Sequence, residues 1–296
     1  MRVTQKRLIE EASWNIADHL ERLQRLQSVL ASGKRIQKPK DDPLGIERAL
    51  EIRSYLRGLE TSLRNIRLTT DWLGATEKAL QDLNDVLKRA QTIALNAASE
   101  ASQSPEAFQG WIAEVEALLK QAVQIGNSNH RGLYLFAGRK VKTAPFELTS
   151  ASSWQVTYHG DDGKLEHELE KDVRIQVNIS GEYPLFQQVF NSLIDLRSRL
   201  ESGDTAGIRD SVGDLEQAMD SVLEALSVVG SRTNRVNATE KRLKKWELEL
   251  RRLLSDLEDA DIAETALNMS LEDQVYRALL AASARLVGPA LIDYLY

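Results

Sequence analysis

Cysteine is absent from the chain. That excludes disulfides, thiolate metal sites and a cysteine nucleophile, and it suits a protein that must not cross-link in an oxidising medium. Proline and glycine are sparse, 6 and 16 among 296 residues, and aromatic residues make up only 6%. With so few helix breakers, and with Leu, Ala, Glu, Arg and Gln prominent at both ends, long amphipathic helices are expected. Positive charge is not in excess either. The 38 basic and 44 acidic residues leave a formal charge of −6, so no overall basic field invites nucleic acid. No apolar run reaches bilayer-crossing length, the last segment being broken by Arg277, Arg285, Pro289 and Asp293. The polar start, Met1 to Arg7, lacks the apolar core of a Sec signal peptide. Neither a Sec-exported nor a membrane-spanning protein is expected.

Catalytic patterns are missing as well. None of G-x-x-x-x-G-K-[ST], G-x-G-x-x-G or G-x-S-x-G occurs. His19 lies near a helical seam and reads as a surface or part-buried side chain. His159 and His167 flank Asp161-Asp162 and could be assembled into a metal site, but a hairpin turn between polar strands explains them more simply. The acidic clusters Asp41-Asp42 and Glu258-Asp259-Asp261 lack the alternating ligands and central glycine of an EF-hand. The basic runs Lys34–Lys40 and Lys241–Lys245 read as solvated surface. The expectation is no enzyme, no cofactor and no metal.

What is present is a heptad. From Ile208 the positions Leu215, Val222, Val229, Val236, Leu243, Leu250 and Leu257 are all aliphatic, with Val212, Met219, Leu226 and Leu254 beside them. One helix over that span is about 75 Å long, too long for a compact domain, so an elongated rod is expected. A second seam at the same spacing runs through Ile52, Leu59, Ile66, Leu73, Leu80, Leu87 and Ala94. Thr69, Thr70, Glu77 and Asn84 flank its middle, either as polar core layers that set register or as a solvent face. A shorter first helix carries Ile9, Ile16, Leu23 and Leu30 and ends at Ser32-Gly33, with Asp42-Pro43 capping the next helix. Trp111, Val115, Leu118, Ala122 and Ile125 mark a third helix. Between about 133 and 180 the period drops to two, as in Trp154–His159 and Val173–Ile179, with Gly160–Gly163 as a turn. Helix resumes near Leu185, and a last one carries Leu267, Leu271, Val275, Leu279, Ala282 and Leu286.

The fold expected is mainly α with a small β insert: an elongated antiparallel, coiled-coil-like rod built from N- and C-terminal segments. The expected divisions are 1–45, an assembly helix and loop; 46–132 and 185–263, the two halves of the rod; 133–184, the β insert; and 264–296, a second assembly helix.

Four stretches resemble the flagellin superfamily. Ser32-Gly33-Lys34-Arg35-Ile36 through Asp41-Asp42-Pro43 is similar to its S-G-x-R-I…D-D-P signature. Asn65 to Leu80 is similar to its N…W-L…E-x-A-L helix. Gly230-Ser231-Arg232-Thr233-Asn234-Arg235 and Glu258-Asp259-Ala260-Asp261-Ile262-Ala263-Glu264 resemble its G-x-R-x-N-R and E-D-x-D-x-A-E. Asn129 to Gly138 resembles the N-x-x-G-x-Y-x-F-A-G of the branch that joins hook to filament, and Asp41-Asp42-Pro43-Leu44-Gly45 departs from the D-D-A-A-G usual in flagellin proper.

The resemblance implies a non-enzymatic, hook-associated structural adaptor outside the cell. It implies export without a Sec signal, through the flagellar type III channel, and a chaperone on the C-terminal region. The implied partners are a neighbouring hook-associated protein, flagellin, and further copies of the chain in a ring. The assembly seam expected is Ile9, Ile16, Leu23, Leu30, Leu271, Val275, Leu279 and Leu286. The terminal helices are expected to stay disordered until assembly. A filament-forming flagellin and a cytoplasmic coiled-coil scaffold remain as alternatives.

Overall fold

Among the described residues six helices carry most of the chain: α1 Arg2–Ser32, α2 Pro43–Ala98, α3 Pro105–Gly126, α4 Pro184–Ser202, α5 Thr205–Glu258 and α6 Ile262–Ile292. The computed structural model describes residues 2–99, 104–149, 154–180 and 184–292, without the side chains of 2–6, 8, 9 and 285–292. The expected seam residues Ile9 and Leu286 therefore lie outside the described side chains. Two compact units result. One combines 1–57 with 246–296, and the other spans 58–245.

The 58–245 unit is a four-helix bundle closed by the heptad seams. Leu59, Ile66, Leu73, Leu80 and Leu87 of α2 are buried, as are Ile208, Leu215, Val222, Val229, Val236 and Leu243 of α5. Val115, Leu119 and Ala122 of α3, with Phe186, Val189, Leu193 and Leu196 of α4, fill the remainder. Polar pairs fasten each neighbour at the rim: Arg89–Glu114 at 2.6 Å joins α2 to α3, and Arg197–Glu116 at 2.7 Å joins α4 to α3. Arg199–Asp214 at 2.9 Å joins α4 to α5, and Gln91 donates to Glu216 at 3.0 Å between α2 and α5. The flanking polar residues of α2 divide. Thr69 and Asn84 are buried, whereas Thr70 and Glu77 sit half-exposed. Thr69 donates its hydroxyl to its own helix at Asn65 O, 2.8 Å, which satisfies it inside the core.

Among its described residues the β segment forms three separate antiparallel strand pairs: β1 Asn129–His130 with β2 Leu133–Tyr134, β3 Phe146–Thr149 with β4 Gln155–Tyr158, and β5 Glu166–Glu170 with β6 Val173–Gln176. Pairing starts at Asn129, before the expected 133, because Arg131 and Gly132 both take positive φ (53° and 81°), the geometry of a two-residue hairpin turn. The Gly160–Gly163 turn does not close a hairpin between the strands that flank it. It carries the chain from β4 to β5, whose partners are β3 and β6. The two histidines consequently part: His159 meets Glu147 at 2.9 Å, while His167 meets Thr69 at 3.0 Å and the edge of Trp72.

In the other unit α1 packs along α6, and His19 of α1 bonds Glu272 of α6. The terminal helices thus partner each other within one chain. The half-buried Ile16, Leu23 and Leu30 supply the apolar contact that their ordering requires. Ile52 of α2 and Leu250 and Leu257 of α5 are also half-buried here. Arg53 bonds Glu258 at 2.8 Å, joining the start of α2 to the end of α5.

Candidate assembly surface

Two signature segments from opposite ends of the sequence meet in the 1–57/246–296 unit. Gly33 ends α1 in the left-handed region (φ 69°), and the chain then pairs with the turn between α5 and α6. Arg35 N–H donates to Glu258 O at 2.7 Å and Ala260 N–H to Gly33 O at 3.0 Å, around the bridge Lys34–Asp259. Side chains reinforce it. Lys34 Nζ bonds Asp259 Oδ1 and lies 3.6 Å from the buried Glu258 carboxylate, which Arg53 also holds. The hydrogen bond with Asp259 raises the Lys34 pKa above its ordinary value. The hydrogen bonds from Lys34 and then Ser255 lower that of Asp259.

Both aspartates of the D-D-P segment have a task. Asp41 accepts from Lys38 N–H at 2.8 Å and Gln37 N–H at 3.2 Å, and the Lys38 bond foremost depresses its pKa. Asp42 caps α2 by accepting Gly45 N–H at 2.9 Å. A Cβ on Gly45 would lie 2.4 Å from Asp42 Oδ2 and 2.8 Å from Ile36 Cδ1, so the capped corner admits only glycine unmoved. Asp261 caps α6 by accepting Ala263 N–H at 2.9 Å.

The clasp leaves apolar surface outside. On α6 the residues Glu272, Tyr276 and Leu279 share the half-buried face toward α1. On the adjoining face Leu267, Leu271 and Val275 are 61%, 52% and 42% exposed, and Ala278 and Ala282 continue the stripe. The expected seam residues therefore separate: Leu271 and Val275 lie outside, and Ile16, Leu23, Leu30 and Leu279 are half-buried. Trp14 of α1, 70% exposed, was not singled out by its sequence position. A tryptophan set between the polar Ser13 and Asn15 was the available signal.

The 129–138 stretch is fixed in the 58–245 unit by Asp161. Its Oδ1 accepts Arg139 N–H at 2.6 Å and Gly163 N–H at 2.9 Å, and its carbonyl accepts the hydroxyls of Tyr158 and Ser180 at 2.8 and 3.0 Å. The bond from Arg139 N–H, foremost, lowers the Asp161 pKa. Asn178 Oδ1 and Nδ2 bond Leu165 N–H and Gly163 O, completing the strand edge, and Arg232 donates to Asn178 O at 2.9 Å from α5. The arginine of the G-x-R-x-N-R segment thereby fastens the β segment to the bundle. Burial pushes its pKa down, a direction that leaves a guanidinium charged.

Residues 8–141 match the family model of the bacterial flagellin N-terminal helical region, and residues 212–295 match that of the C-terminal helical region. The chain belongs to the flagellin family. Flagellin FlaB1 of Treponema pallidum is 25% identical over 236 residues, 79% of this chain and 78% of that one. Flagellar hook-associated protein 3 of Salmonella typhimurium is 21% identical over 65% of this chain and 58% of its own. In three dimensions this flagellin-family chain resembles a flagellar hook-associated protein of Vibrio parahaemolyticus, with TM-score 0.67 and 20% identity over 74% of this chain and all of that one. It also resembles FlgL of Bacillus cereus, with TM-score 0.62 and 22% identity over 69% of this chain and 99% of that one. The mainly helical fold is therefore that of the flagellin family. Among the described residues no group of acidic and histidine side chains could hold a metal ion, and no helix is long and apolar enough to cross a membrane.

Proposed function

We propose that the chain is a non-enzymatic structural adaptor at the junction between hook and filament of the bacterial flagellum. The observation that carries this is the stripe Leu267-Leu271-Val275 on α6, left open although α6 already has α1 as an intrachain partner. Contiguous exposed apolar side chains of this kind mark an interaction surface. In an assembled ring, neighbouring copies, a hook-associated protein and flagellin would cover it by axial packing of 1–45 and 264–296. Before assembly an export chaperone on the C-terminal region would cover it, with delivery outside the cell through the type III channel. Likeness to hook-associated folds and the 129–138 hairpin favour the junction over the filament itself.

Two truncations test this. Deleting 1–30 or 272–296 should leave a soluble, folded 58–245 unit that no longer joins hook or filament. Immunogold label should sit at the hook end of the filament. Long filaments grown from the purified chain alone would favour a filament flagellin instead, and retention inside cells irrespective of flagellar export would favour a cytoplasmic scaffold.

A further inference from the structure

A cleft of about 560 Å³ opens between the β3–β4 strand pair and α4. Its wall is aromatic: Trp154, Tyr158 and Phe190 line it, together with Phe146 beneath. Its rim is amide: Gln155, Gln187 and Asn191 are exposed there. Among the described residues that line it there is no Asp, Glu, Lys or Arg, in a chain 28% charged.

The wall is held firmly. The Phe146 ring lies 4.8 Å from Phe186 and 5.1 Å from Phe190, and Asn127 clamps the Phe146 backbone through both its amide atoms at 2.7 and 2.9 Å. Trp154 is fixed by the Arg197 guanidinium 5.1 Å from its ring centroid and by Lys120 at 5.7 Å. Arg197 is itself bonded to Glu116 and Glu201, so its charge is balanced away from the cleft.

We infer that this cleft binds a neutral carbohydrate of one or two sugar units. A sugar ring has an apolar C–H face, which buries against an aromatic wall, and a girdle of hydroxyls that both donate and accept. Primary amides answer both hydroxyl roles from one side chain. A preformed cavity with apolar walls and a few convergent polar groups is the usual form of a small-molecule site. The lack of any charged lining residue argues against an anionic or cationic ligand, whose desolvation nothing in the cleft would offset. This reading does not depend on the junction role, since binding is measured on the unassembled chain.

The test is retention of the full chain on an array of immobilised neutral and acidic sugars, including glucose, galactose, N-acetylglucosamine and sialic acid conjugates. Retention on a neutral sugar, weakened at least ten-fold by both Q187A and N191A, is expected. These two side chains are exposed, so an unchanged thermal transition separates lost binding from lost fold. W154F should weaken retention too, by removing the indole from the wall. Failure to retain any neutral sugar, retention of acidic sugars only, or neutral-sugar retention that survives both amide substitutions would overturn the inference.

Discussion

At the residue scale, the family-like hairpin depends on one contact of backbone with backbone. A Cβ on Gly138 would lie 2.0 Å from Asp161 O, and the residue has φ 69°. G138A should therefore cost about 2–4 kcal/mol, measured by urea unfolding, from clash and left-handed strain together. His167 gives a pH prediction. Burial lowers its pKa below the ordinary 6.5. The unfolded chain then takes up the proton first as pH falls, so stability is full above about pH 7 and declines as pH drops below 6.5 toward the folded value. H167Q should flatten that decline in the thermal transition between pH 7 and 5. An unchanged decline would place the acid sensitivity elsewhere.

At the scale of elements, the long helices were legible because their seams repeat with one period over many turns. Asp42-Pro43 and Ser32-Gly33 gave their ends through cap chemistry, and Pro43 does start α2. The β segment was only partly legible. A turn such as Gly160–Gly163 looks the same whether it joins paired strands or two separate strand pairs, and only the long-range hold of Asp161 on Arg139 decides between them. The open face of α6 was hidden for a related reason. Leu271, Val275 and Leu279 follow one apolar spacing, and only contact with α1 distinguishes the covered side from the exposed one. Gly230, in the middle of α5, has no atom beyond its chain neighbours and its own helix backbone within 4 Å of where a Cβ would stand. G230A should thus stabilise the helix by about 0.5–1 kcal/mol, seen as a raised melting temperature. A loss of stability would reveal a need for that glycine which packing does not show.

At the scale of the whole molecule, the clasp joins residues more than two hundred positions apart, and it should behave as a unit. The Glu258 side chain is 6% exposed between Arg53 and Lys34. R53A should cost about 1–3 kcal/mol by leaving that carboxylate poorly paired, with hydrogen exchange rising at the Arg35 and Ala260 amides while the bundle's core amides stay protected. The Lys34–Asp259 pair adds a titration. Its contribution is fully present between the ordinary values of 3.8 and 10.5. It is lost as pH falls through the lowered Asp259 pKa or rises through the raised Lys34 pKa. Both side chains are about 40% exposed, so added salt should weaken this contribution.

The clasp also sets an order of events in time. A polypeptide released N-terminus first, whether from a ribosome or a transport pore, completes the contiguous 58–245 bundle while its opening helix still has nothing to lie against. Loop closure between Lys34 and Asp259 must wait for almost the entire sequence to emerge, and the contact of His19 with Glu272 must wait longer still, so both form late. Until then the first helix is free to engage whatever else is near. The molecule carries its own delay, written in the separation of two short segments.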